Sequence, residues 1–71
     1  MSSRLALANN LRALRDKRGL SQEALADLAG VDRTYVSALE RQRYAASVDT
    51  LDKLAAALGV SAAELLTLDP S

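Results

Sequence analysis

Apolar residues recur along this chain at the spacing of helices. Leu5, Leu7, Leu11 and Leu14 fall near successive turns, and Leu25, Leu28 and Ala29 form a second stripe. Val36 and Leu39 make a third, Leu51, Leu54, Ala55 and Leu58 a fourth, and Leu65, Leu66 and Leu68 a fifth. The punctuation between them is that of helix ends. Gly19, Gly30 and Gly59 each follow a stripe and suit a left-handed cap, and Pro70 lies past the last. Ser21, Asp32, Ser47 and Ser61 precede stripes and can accept from the free N–H groups of a first turn. Ser61 with Glu64 is also a capping box. The pattern predicts five helices, at about 4–18, 22–29, 33–42, 48–58 and 62–67, in one all-α domain over residues 1–71.

Composition narrows the class. The 71 residues are 49% hydrophobic but only 3% aromatic, so the core is aliphatic, built from Leu, Ala and Val. There is no cysteine and no histidine, which excludes a disulfide framework and a zinc site of the usual kind. It also removes the commonest acid–base group. Asp49 and Asp52 lie three residues apart without a pocket signature and read as solvated carboxylates, so no enzyme is expected. No cofactor or small-molecule ligand is expected either. No apolar run reaches the ~20 residues of a membrane span, and the N-terminus lacks the apolar stretch of a signal peptide. The expected location is the cytoplasm.

Net charge is zero, but its distribution is uneven. Residues 1–20 hold Arg4, Arg12, Arg15, Lys17 and Arg18 against Asp16 alone, whereas residues 45–71 hold Lys53 against Asp49, Asp52, Glu64 and Asp69. The basic end and the Arg41–Arg43 segment are able to line one face, with the acidic part pointing away.

The stretch QEALADLAGVDRTYVSALER, Gln22 to Arg41, meets a geometric demand. Two short helices must cross steeply through a tight turn. Ala26 is small enough for the crossing, Gly30 tolerates the turn, and Val36 is placed to be buried against the first helix. These residues resemble the bacterial helix-turn-helix pattern. With the flanking LRALRDKRGLS and TLDKLAAALGVSAAELL, nearly the whole chain resembles the lambda-repressor-like, Xre-type regulators. The Arg-Thr-Tyr-Val-Ser run also resembles the small controller proteins of restriction–modification systems.

The resemblance implies a five-helix DNA-binding domain with the helix-turn-helix in helices 2 and 3. It implies that Arg33, Thr34, Ser37 and Ala38 face base edges from helix 3, and that Gln22 touches the phosphate backbone. Arg33 has the fork for guanine O6 and N7, Thr34 can bond a base or touch a thymine methyl, and Ser37 can bond either base type. Tyr35 is suited to a phosphate or to packing on helix 2. Arg41, Arg43 and Tyr44 suit backbone contacts. Arg15 and Glu40 match a structural ion pair of the family.

The chain departs from the family at Gln42, where Gly is usual, and at Ala46, where Pro is common. Helix 3 is therefore expected to run on to about residue 42. The leading expectation is a sequence-specific transcription regulator, a homodimer on a palindromic operator in double-stranded DNA. The alternative is a protein-interaction or antitoxin-like module that keeps the fold with little DNA reading of its own.

Overall fold

The computed structural model describes residues 3–67, so the expectations for Leu68 and Pro70 lie outside the described residues. Five helices follow one another: α1 Ser3–Lys17, α2 Gln22–Ala29, α3 Arg33–Glu40, α4 Val48–Leu58 and α5 Ala62–Leu66. α1 packs against α3 and α5, α2 against α3 and α4, and α4 against α5. They share one aliphatic core in which Leu11, Leu25, Val36, Leu39, Leu54, Leu58 and Leu65 are fully buried. Among the described residues, no helix is long and apolar enough to cross a membrane.

Each of α2 to α5 begins where a polar side chain accepts from its first turn: Ser21 from Ala24, Asp32 from Thr34, Ser47 from Thr50 and Ser61 from Glu64. The first four helices all end in the same double hydrogen bond. In α1 the N–H of Leu20 reaches Arg15 O and that of Gly19 reaches Asp16 O. In α2 Val31 and Gly30 bond Ala26 and Asp27, and in α4 Val60 and Gly59 bond Ala55 and Ala56. The residue after each glycine is apolar and packs on the core: Leu20, Val31 and Val60.

α3 ends the same way with different residues. Arg43 N–H bonds Ala38 O at 2.9 Å and Gln42 N–H bonds Leu39 O at 3.1 Å. Helix 3 therefore stops at Glu40 and does not continue to 42. Gln42 itself takes the left-handed conformation, φ +62°, in the place glycine holds in the other three. An L-residue with a Cβ pays about 1–2 kcal/mol there. Gln42→Gly is expected to stabilise the domain by about 0.5–1 kcal/mol, after the larger entropy of glycine in the unfolded chain is deducted. For a domain of this size that is a rise of roughly 2–8 °C in Tm. A lowered Tm would show that the Gln42 side chain contributes more than its backbone costs.

One apolar expectation changes. Leu28 is 62% exposed, because the buried face of α2 is set by Leu25, Ala26 and Ala29. At about 100° per residue Leu28 turns away from that face. α5 is also held by a polar contact. Asn10 of α1 donates through Nδ2 to the carbonyls of Leu65 and Thr67, both at 2.8 Å, and of Glu64 at 3.2 Å. A five-residue helix has few bonds of its own, and this side chain satisfies its free carbonyl end.

Candidate nucleic-acid interface

The turn between α2 and α3 is as tight as the sequence requires. Ala26 is 1% exposed at the crossing, Gly30 sits at φ +72°, and Val36 is fully buried. Asp32 then caps α3, its Oδ1 accepting from Thr34 N at 2.7 Å. That hydrogen bond holds the Asp32 carboxyl below its usual range. The result is a short helix fixed at its amino end, with its inner side against the core.

The outer side of α3 carries Arg33 and Thr34, both exposed, then half-buried Ser37, then exposed Arg41 just past the last turn. Arg33, Ser37 and Arg41 recur every four residues, so they form one stripe. Within it, Arg41 Nη2 donates to Ser37 Oγ at 2.8 Å. Ala38 does not belong to this face. It is 7% exposed, because the chain folds back beside it: Arg43 N–H bonds its carbonyl, and Tyr44 lies against Tyr35 one turn earlier on α3. A buried methyl group has no access to a base edge, so Ala38 leaves the set of candidate readers.

Tyr35 is half-buried and its ring packs on the core, as the packing alternative expects. Its ring meets that of Tyr44 at 6.4 Å between centroids, tilted by 57°. Arg43 and Tyr44 are exposed on the loop after α3.

Behind the stripe lies Glu40, the one charged residue among those described that is buried. Its carboxylate takes two bonds from Arg15, Nε to Oε2 at 2.8 Å and Nη2 to Oε1 at 3.0 Å. Arg15 Nη1 also donates to Leu20 O at 3.0 Å. Gln22 Nε2 donates to Glu40 Oε1 at 3.1 Å, so the side chain expected at the phosphate backbone is half-buried and engaged inward. Arg12, which sequence reasoning left out of the site, joins from α1. Its Nε is 3.6 Å from Glu40 Oε1, and its Nη2 bonds Glu40 O at 3.4 Å. Its spacing from Arg15, one turn earlier on α1, was the available signal.

Burial would push the Glu40 carboxyl up. The hydrogen bonds from Arg15 and Gln22, and the charges of Arg15 and Arg12, outweigh that and hold it below its usual value. The basic amino-terminal segment is thus partly structural. Arg12 and Arg15 converge on Glu40, and the Arg18 guanidinium lies over Gly59 at the carboxyl end of α4, where the helix dipole favours a cation. Arg33, Arg41 and Arg43 remain exposed, and among the described residues no carboxylate forms an ion pair with them.

Comparison with known proteins adds to this geometry. A family profile described as helix-turn-helix matches residues 11–65. A hypothetical transcription factor of Neisseria meningitidis serogroup B is 52% identical over 63 residues, covering 89% of this chain and 59% of that protein. This chain thus spans less than two thirds of that relative's length. A crystal structure of the hypothetical transcription factor NHTF from Neisseria superposes with a TM-score of 0.90 at 49% identity, over 94% of this chain and 77% of that one. The restriction–modification controller protein C.AhdI of Aeromonas hydrophila superposes with a TM-score of 0.83 at 44% identity, over 87% of this chain and 94% of that one.

Proposed function

The chain belongs to the helix-turn-helix family of DNA-binding transcription regulators, of the lambda-repressor-like, Xre type, and from that membership we propose that it acts in the cytoplasm as a homodimer that reads a palindromic operator with α3 in the major groove. The observation that carries this reading is the outward stripe of α3. It presents Arg33, Thr34 and Ser37 with guanidinium groups at both ends, and no carboxylate among the described residues pairs with those guanidinia. Arg33 and Thr34 stand at the amino end of the helix, the end that meets base edges when such a helix docks. Arg41, Arg43 and Tyr44 are placed for the backbone beyond it. Gln22 reaches the backbone only through the part of its amide that Glu40 leaves unused.

One short helix contacts few base pairs, so a second copy is needed to give a useful operator length. Exposed apolar side chains support pairing. Val48 is 74% exposed and Leu66 38%, and Leu66 lines a small groove with Arg4, Leu7, Ala45, Ala46 and Leu51. Such side chains are stabilised by leaving water. The controller protein among the similar structures favours a regulator of the same kind.

The test is selection of bound sequences from a random DNA pool at two salt concentrations. The expected product is a palindrome whose half-sites lie one helical turn apart, roughly 34 Å. Enrichment of a single unpaired half-site would remove the dimer. No enrichment at either salt would replace this reading with the protein-interaction module.

A further inference from the structure

Ser37 carries the hydroxyl that the sequence offers to a base, yet one lone pair of its oxygen is already engaged within the protein. Arg41 Nη2 donates to it at 2.8 Å. The backbone that carries Arg41 is fixed on both sides. Its own N–H bonds Ser37 O at 3.1 Å, and the next two residues are pinned by Gln42 N–H to Leu39 O and Arg43 N–H to Ala38 O. A helical side chain lies over the turn before its own Cα. The Arg41 fork is accordingly drawn back along α3, beside Ser37 and over its oxygen. Only one of its five N–H groups is used there. Among the described residues no carboxylate pairs with the rest.

We propose that Ser37 is the positioning residue of Arg41, and that the two form a preformed phosphate clamp at the carboxyl end of α3, leaving the reading of bases to Arg33 and Thr34. The proposal rests on the DNA-binding reading above and divides its labour. A free arginine side chain must be ordered before it grips a phosphate, and that ordering weakens binding. A serine one turn back removes part of this cost in the unbound protein. It also explains why a half-buried hydroxyl sits in the middle of an otherwise exposed stripe. Contact with a phosphate fixes the register of the helix on the duplex without selecting a base.

A double-mutant cycle on the selected operator tests the division. Arg41→Ala is expected to shallow the dependence of log K on log salt by about 0.9 per subunit, one phosphate contact each. Ser37→Ala is expected to weaken binding about 2- to 10-fold per subunit on every sequence, with the order of preference unchanged. In the Arg41→Ala background Ser37→Ala is expected to add nothing; with Arg41 present, Ser37→Thr, which keeps the hydroxyl, is expected to bind as the wild type does. Tm is the control for folding. The clamp is overturned if Ser37→Ala alters preference at one base pair of each half-site, or if it costs the same factor with and without Arg41. Nitrogen-15 spectra of the Arg41 side chain in the DNA-free protein report the bond independently. The Nε–H signal is expected to be ordered and to become mobile in Ser37→Ala, and an unchanged signal overturns the positioning role. Failure of the wild-type chain to select any sequence would instead overturn the DNA-binding reading, a result the spectra do not share.

Discussion

Glu40→Ala is expected to destabilise the domain by about 3–5 kcal/mol, the cost of breaking a buried ion pair from one side. The whole stability of a 71-residue domain is roughly 4–11 kcal/mol, so this one change removes a large share of it. The reason lies in what is left behind. Arg15, with its side chain only 14% exposed, keeps its charge and loses two short bonds. Gln22 and Arg12 lose their common acceptor as well. Urea melts check the prediction, with the midpoint falling and the slope unchanged. A loss under 1 kcal/mol would mean that water already reaches the pair. Replacing both partners by apolar residues, Arg15→Met with Glu40→Leu, is expected to recover much of the loss, because no unpaired charge then remains.

The same group sets an acid limit. The folded pKa of Glu40 is held below its unfolded value, which is about 4.3 for a glutamate. Its contribution is therefore complete above the ordinary glutamate range. It is lost as pH falls through the lower, folded pKa. Wild-type stability should drop across that window more steeply than that of Glu40→Gln, which has no carboxyl there to protonate.

Most of the architecture was readable from local chemistry, since four caps and three glycines are signals confined to a few residues. Ser21, Asp32, Ser47 and Ser61 cap as their positions require. What escaped was chemistry between elements. Asn10 is an unremarkable polar residue within α1 until α5 brings three carbonyls to it, from more than fifty residues away. Arg12 has no visible partner until Glu40 arrives. Ala38 has the helical phase of a residue near the reading face, and only the returning chain at Arg43 and Tyr44 covers it.

Gln42 shows a different limit. Its departure from glycine predicted a longer helix, because glutamine favours helical backbone. The packing on either side prevailed. Val36 and Leu39 fix α3 to the core, Leu51 and Leu54 fix α4, and the chain between them must turn where it does. The cost of a positive φ at one residue is small beside the burial of four aliphatic side chains at about 1.5–3 kcal/mol each. Local propensity gave way to tertiary demand, and the strain was placed beside Arg41 and Arg43, in the loop after α3.

Arg33→Ala is expected to have the largest effect on function. A fork bonded to guanine is worth about 1–3 kcal/mol of discrimination. The proposed homodimer makes the contact twice, so the operator should lose about 2–6 kcal/mol, roughly 30- to 20,000-fold. Specific complexes typically exceed non-specific ones by about 4–10 kcal/mol, so this would consume much of the difference. Binding to random duplex should hardly change, and the salt slope should fall less than in Arg43→Ala, because the contact is to a base. Equal losses on operator and random DNA would make Arg33 a backbone contact. Stability provides a second control. Arg33 is exposed in the first turn of α3, where a cation opposes the helix dipole. The attraction of Arg33 to the exposed Asp32 carboxylate works against that dipole effect, so removing the side chain should leave Tm nearly unchanged. A residue that is neutral or unfavourable for the fold and decisive for the operator is the signature expected of a base reader. A fall in Tm alongside the loss of binding would assign Arg33 to the scaffold instead.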